Sequence, residues 1–236
     1  LSPHAGGLSV LSEHLVIFWV SLGLWLLVLF SEKKVNWLLI SSALAFGFSL
    51  FIKQNGIFFI AAAVVFLLYF LKKELGASWK MAIGKTLLFA IISALPSAFL
   101  FLFLAFYGLA DEFIYWSIQY PAYLHDLSFS EGWVFLKSVM RDLLRGYWEW
   151  WLMTILGLIT LVFSSLEKKW KILLLSFTFF SVLAITPRLT FHGHYFLFLF
   201  PVLALLVGVF FSELSVWISK LWKAKYAEML VASVFL

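Results

Sequence analysis

The sequence predicts an all-α protein, a polytopic bundle of membrane-crossing helices, and three observations lead there. Of 236 residues, 64% are apolar, 20% aromatic and 12% charged, whereas a soluble domain is nearer half apolar and a quarter charged. A water-soluble fold of this size has no interior large enough for that much apolar surface, so lipid must solvate much of it. The apolar residues are also gathered into stretches of helix length separated by polar punctuation, and lysines recur on every second connection.

The stretches lie near 15–30, 35–52, 56–71, 86–109, 147–166, 171–187 and 195–212. That gives about seven spans plus a truncated eighth from about residue 228, within a single transmembrane domain over 1–236. A span takes roughly 17–25 residues, so the shorter stretches need flanking Trp and Lys to reach the interface. The start, Leu1-Ser2-Pro3-His4, has neither an initiator Met nor a basic n-region and is not a signal peptide. The final run, Glu228 to Leu236, is about half a span long, so both ends read as cuts in a longer chain.

The lysines orient the bundle. Lys33 and Lys34 follow the first stretch, Lys72, Lys73, Lys80 and Lys85 the third, Lys168, Lys169 and Lys171 the fifth, and Lys220, Lys223 and Lys225 the seventh. These twelve basic residues stand against five acids, a balance of +7, while the opposite side carries five basic residues against seven acids, a balance of −2. The positive-inside rule makes the lysine-rich connections cytoplasmic and puts the N-terminal residues outside. The chain has no cysteine, which excludes disulfides, thiolate metal sites and a cysteine nucleophile. That absence, with no Asn-x-Ser/Thr site, suits a bacterial inner membrane. Its three arginines and dispersed lysine clusters form no nucleic-acid surface.

The outer side holds all five histidines, all three arginines and the one long loop, about 110–146. In that loop Tyr120 and Tyr123 flank Pro121. They either sit in the aromatic belt of the headgroup region or line a polar cleft as hydrogen-bond donors. Ser128-Phe129-Ser130-Glu131 is a Ser-x-x-Glu capping box and predicts a helix start. Beyond it Trp133, Leu136, Met140, Leu143 and Leu144 share a face, with Lys137, Arg141 and Arg145 in an i, i+4, i+8 stripe beside it. This is one outer, interfacial amphipathic helix whose cations suit anionic headgroups or a lipid-linked phosphate. Lys53, in the turn Lys53-Gln54-Asn55-Gly56, is either a snorkelling lysine or a phosphate ligand. His192-Gly193-His194 has no third ligand nearby in sequence, so neither a metal nor any other cofactor is expected. With Arg188 and Tyr195, these histidines suit an anionic group better.

Three stretches carry a resemblance to a known family. One is Ser12-Glu13 opening a span, followed by the small-residue run Ser41 to Leu50 ending in Lys53-Gln54. Another is Tyr115-Trp116 through Tyr120-Pro121-Ala122-Tyr123, and the third is Arg188 with His194-Tyr195-Phe196 and Pro201. In order and spacing they resemble the GT-C glycosyltransferases, in the branch of the dolichyl-phosphate-mannose–protein mannosyltransferases and ArnT-like enzymes (glycosyltransferase family 39-like). The resemblance implies a GT-C-like membrane transferase that moves a hexosyl or pentosyl group from a polyprenyl-phosphate carrier to an acceptor on the periplasmic face. Neither the sugar nor the acceptor is specified. Lys53, Tyr120, Tyr123, Arg188, His192, His194 and Tyr195 would bind substrate. Glu13, Lys137, Arg141 and Arg145 are candidates for contacts with the acceptor or with membrane lipid headgroups. The acidic catalytic base is expected in a preceding outer loop, which leaves this piece alone inactive.

Two other classes fit parts of the pattern. A transporter or flippase subunit would explain Pro96 and Pro187 as marks of broken helices. It would also call for an internal repeat and a mid-span ionisable residue, and neither is found. A structural subunit of a membrane complex leaves the outer His/Arg/Tyr concentration without a purpose.

Overall fold

A computed structural model describes residues 12–120, 128–189 and 191–222, leaving aside the side chains of residues 118, 188 and 220–222. Among these the chain is helical, with no strand. In order come α1 (Ser12–Lys33), α2 (Asn36–Ile52), α3 (Gly56–Tyr69, continued by a π-turn Phe70–Glu74), α4 (Trp79–Phe106) and α5 (Ala110–Ile114, continued by a π-turn Tyr115–Gln119). Then follow α6 (Phe129–Phe163), α7 (Lys168–Ala184), two 3-10 segments (Pro187–Leu189 and Gly193–Leu199) and α8 (Phe200–Trp222). Five helical segments, Ser12–Lys33, Gly56–Glu74, Trp79–Phe106, Phe129–Phe163 and Gly193–Ser219, are long and apolar enough to cross a membrane, and Asn36–Ile52 is a shorter apolar helix.

Burial accounts for only part of so apolar a chain. On α4 the buried residues are Ala82, Thr86, Phe89 and Ser93, a single narrow stripe at spacings of four, three and four. The remaining faces expose Ile83, Leu87, Ile91, Leu95, Phe99 and Leu102. A helix apolar all round with one packed stripe suits a hydrocarbon surrounding on its other faces. Its hydroxyls bond back into their own helix, Thr86 to the Ala82 carbonyl at 2.8 Å and Ser93 to that of Phe89 at 2.9 Å. Such back-bonding is how Ser and Thr are satisfied where no water is available.

Small residues let the backbones close up. The Ser42 hydroxyl of α2 donates to the Gly23 carbonyl of α1 at 2.7 Å. A Cβ built on Gly157 of α6 would lie 2.3 Å from the Leu206 carbonyl oxygen of α8. Without a hydrophobic force between helices in lipid, close backbone approach and buried hydrogen bonds supply much of the association. Phe46 of α2 sits at the centre, fully buried, 6.2 Å from the Phe89 ring of α4 and 5.9 Å from that of Phe177 in α7.

Several helices differ from the predicted stretches in their bounds, and α8 runs to Trp222 rather than ending near 212. α4 begins at Trp79 rather than near 86, because Ser78 caps it and accepts a hydrogen bond from the Met81 amide. It also continues unbroken through Pro96, whose ring fills the space beside Gly47 of α2. The predicted outer helix and the following stretch near 147–166 are both present within α6, and non-helical backbone at Tyr147 (φ −147°, ψ 31°) kinks the chain between them. The stretch near 195 starts as 3-10 rather than α. The truncated eighth stretch falls outside the described residues.

Chain direction alternates, so two ends can be told apart by contacts. Phe30 near the end of α1 meets Phe70 in the π-turn after α3 (6.0 Å), and Lys72 lies 5.2 Å from the Trp79 ring at the start of α4. Lys171 in the first turn of α7 caps the end of α6, donating to the Val162 and Ser164 carbonyls at 3.1 and 2.8 Å. Lys33, Lys34, Lys72, Lys73, Lys168, Lys169 and Lys171 thus gather at one end of the bundle. The first residues of α1, the α2–α3 turn, the end of α7 and the 3-10 segments gather at the other.

Candidate functional site

The lysine-poor end is built around the turn at 53–55. α2 stops at Ile52 and Lys53 takes extended backbone (φ −154°, ψ 137°), still donating its amide to the Ser49 carbonyl. That carries the Lys53 side chain off the helix surface and across to α1. There Lys53 Nζ pairs with the carboxylate of Glu13, in the first turn of α1. Glu13 is only 2% exposed and Lys53 is partly covered. The ammonium also stands 4.5 Å from the centre of the Tyr195 ring and 5.8 Å from that of Phe198, within range of cation–π attraction.

The rings come from the 3-10 segment Gly193–Leu199. Three residues per turn bring i and i+3 into line, so His192, Tyr195 and Phe198 form a column. His192 meets Tyr195 edge-on at 5.4 Å, and Tyr195 stacks on Phe198 at 6.1 Å. His194 lies beside this column, parallel to His192 at 5.4 Å, edge-on to Tyr195 at 4.7 Å, and 3.7 Å from Glu13 Oε1 through its Nε2. One buried carboxylate is therefore shared between a lysine and a histidine that lie 141 residues apart in the sequence.

Neighbouring segments converge on the same turn. Gln54 Nε2 donates to the Ser117 carbonyl in the π-turn after α5. Asn55, buried at the start of α3, donates from Nδ2 to the Ala184 carbonyl at the end of α7 (2.5 Å). Ser128 caps α6 in a full capping box with Glu131, as its spacing predicts. In the first turns of α6, Gly132 packs on Leu189, where any Cβ would come within 2.5 Å of the Leu189 Cβ, and Phe135 lies 6.2 Å from His192. Leu189 itself takes positive φ (57°), as does Phe191 (39°), so this connection is tightly folded.

Of the residues singled out from sequence, the structure thus brings together Lys53, His192, His194, Tyr195 and Glu13, whose carboxylate faces Lys53 and His194. The reason is burial, since a carboxylate 2% exposed needs a cation at hand. Tyr120 belongs to a neighbouring aromatic group instead, 5.0 Å from Trp116 and 6.3 Å from Tyr115, one turn after Ser117. Lys137, Arg141 and Arg145 lie on the exposed face of α6, and Lys137 sits 5.3 Å over the Trp133 ring. Among the described residues these three form no hydrogen bond or ion pair with Glu13 or Lys53. Tyr123 and the Arg188 side chain lie outside the described residues. A hollow of about 490 Å³ is lined by Asp111, Glu112, Ile114, Tyr115 and Gln119 and by no member of the Lys53 cluster.

Sequence reasoning missed the Glu13–Lys53 pair, and with it Gln54, Asn55, Phe135 and Phe198 as parts of the site. The pair had a signal: Glu13 and Lys53 are lone charges at the ends of adjacent apolar stretches on one side, and opposite charges in that setting seek each other. No group of three or more potential metal ligands occurs among the described residues.

The fold and this cluster define an all-α protein with apolar helices of membrane-crossing length and a buried, charge-paired site at one end. No family model, curated protein or solved structure matches the chain.

Proposed function

We propose that the protein is an inner-membrane glycosyltransferase of GT-C-like architecture, with about seven spans. It transfers a sugar from a polyprenyl-phosphate carrier to an acceptor at the outer face. One observation carries this reading: the three stretches that bear the resemblance meet at the Lys53-Gln54 turn. Glu13 and Lys53 come from the first stretch, Ser117 lies within the second, and His194 and Tyr195 belong to the third.

The chemistry follows from the charges. In sugar transfer the acceptor oxygen or nitrogen bonds to the anomeric carbon as the bond from that carbon to the phosphate oxygen breaks. The acceptor's proton leaves to a base. The departing phosphate gains negative charge, so cations and donors already fixed around it lower the barrier. Lys53, His194 and the Tyr195 hydroxyl are the donors offered here, and Arg188 is the further cation assigned from sequence. The aromatic group of Tyr115, Trp116 and Tyr120 is exposed beside this turn, at the depth where rings favour the headgroup region. The basic face of α6 suits anionic headgroups in the same layer.

The test is transfer of a radiolabelled sugar from a polyprenyl-phosphate donor in membranes holding the whole protein. Lys53→Ala and Arg188→Ala should each lower transfer by at least about tenfold at unchanged expression, because a charge-assisted phosphate contact is worth roughly 1.5–3 kcal/mol. Normal transfer by both variants overturns the assignment.

A further inference from the structure

The anion site proposed above is already occupied by an anion. Lys53, the one described lysine at this end in contact with the histidine segment, has its ammonium against Glu13, with the Tyr195 and Phe198 rings on its other sides. A phosphate approaching Lys53 would meet a buried carboxylate already sharing that cation. Two anions at such range in a poorly hydrated site repel strongly. A second partner for Glu13 stands ready: His194 Nε2 is 3.7 Å from the same oxygen, Oε1, that faces Lys53. That separation is just beyond a hydrogen bond, and an imidazolium would close it.

We infer that Glu13 is a built-in counter-anion that shields Lys53 from phosphate, and that a proton taken up at His194 draws Glu13 away and frees the lysine. Phosphate binding at this site is then coupled to proton uptake from the face on which the site opens. The inference rests on the phosphate reading above and adds its regulation.

Among the described residues, the groups that set this balance are these. α1 contributes Glu13 and, one residue on, His14. The α2–α3 turn contributes Lys53, and the 3-10 segment contributes His194, Tyr195 and the stacked His192. α6 presents Phe135 to His192, with the Glu131 carboxylate turned back onto Ser128. The end of α7 presents no charge, and Arg188 is the next charged residue in sequence before His192. Burial of the His194 ring opposes its protonation, as do Lys53 and His192, while Glu13 favours it, so the handover falls on the acid side of the ordinary imidazole range.

The experiment measures binding of two probes, farnesyl phosphate and inorganic phosphate, to the whole protein in neutral-lipid nanodiscs. Readings are taken at about pH 8 and about pH 5.5, either side of the imidazole range. Wild type should bind about ten times more tightly at the lower pH, the effect of removing one like charge from the site. Glu13→Gln should bind tightly at both, and Glu13→Asp should keep the wild-type dependence. If Glu13→Gln binds no more tightly than wild type at the higher pH, or still tightens on acidification as wild type does, the shielding role is overturned. Equal gains for both probes assign the coupling to the phosphate alone, and a gain confined to farnesyl phosphate assigns it to the lipid-linked form; either supports the inference. If no variant binds either probe, the phosphate reading fails. The handover is then judged by itself, from the His194 side-chain nitrogen resonances assigned with a His194→Gln sample. Identical titration of His194 in wild type and Glu13→Gln overturns it.

Discussion

Asn55 and Ala184 are 129 positions apart in sequence, yet the Asn55 amide donates to the Ala184 carbonyl at 2.5 Å. The carbonyls in the last turn of a helix have no partner within it, and in a bundle end shielded from water that lack is costly. Asn55 answers it at the end of α7 and so fixes the distance between the Lys53 turn and the segment carrying the histidines.

Asn55→Leu, which removes the donor and leaves the carbonyl buried, should therefore cost about 1–3 kcal/mol of stability. Thermal unfolding in detergent micelles reads this directly. An unchanged midpoint would mean that the Ala184 carbonyl finds water or another donor.

Breaking the Glu13–Lys53 pair on one side should be worse than removing both charges. Lys53→Met strands a buried carboxylate and should cost about 3–5 kcal/mol, whereas Lys53→Met with Glu13→Gln should recover most of that loss. A cycle of the two single variants and the double variant separates the coupling from each residue's packing. Additive losses would show that the two charges do not stabilise each other.

The α6–α8 contact predicts its own sensitivity. Gly157→Val drives a side chain into the Leu206 carbonyl, so the helices must part, at a cost of about 1–3 kcal/mol or more. Gly208→Ala, where the added methyl meets nothing within 4 Å, should be neutral or stabilise by about 0.5–1 kcal/mol. Similar losses in both variants would place the effect in helix propensity rather than in close approach.

Orientation can be read with single cysteines, since the chain has none of its own. Ser128→Cys, at the cap of α6, should react with an impermeant maleimide in intact cells, and Ser78→Cys, at the cap of α4, only after permeabilisation. The opposite pattern would invert the bundle and place the Glu13–Lys53 site in the cytoplasm.

Much of this architecture was legible in the sequence because long apolar runs leave so few choices. A run of apolar residues in hydrocarbon must be helical to satisfy its own backbone, and the polar breaks mark its limits. Hence α2, from Asn36 to Ile52, lies within a residue of the predicted stretch. The capping box at Ser128 was equally readable, being a local signal. What could not be read was set by contacts across the chain. The close approach of α6 to Leu189 at Gly132 and to Leu206 at Gly157 is of this kind. In the site, residue types pointed to Lys53, His194 and Tyr195, since charges and rings at span ends are conspicuous. Glu13 was underread because a lone acid in the first turn of a helix is ordinary, and only tertiary burial turns it into the centre of the cluster.

The column of His192, Tyr195 and Phe198 has a mechanical consequence. Over its seven residues the segment Gly193–Leu199 winds as 3-10 rather than α. Rewound as an α-helix it would be shorter by about 3.5 Å, and its two ends would turn against each other by roughly 140°. Either change takes the Tyr195 ring from beneath the Lys53 ammonium and the His194 nitrogen from the Glu13 carboxylate. The site is thus held in register by the pitch of little more than two turns of backbone, and a residue inserted between Gly193 and Phe198 would dismantle it while leaving every charged group in the chain.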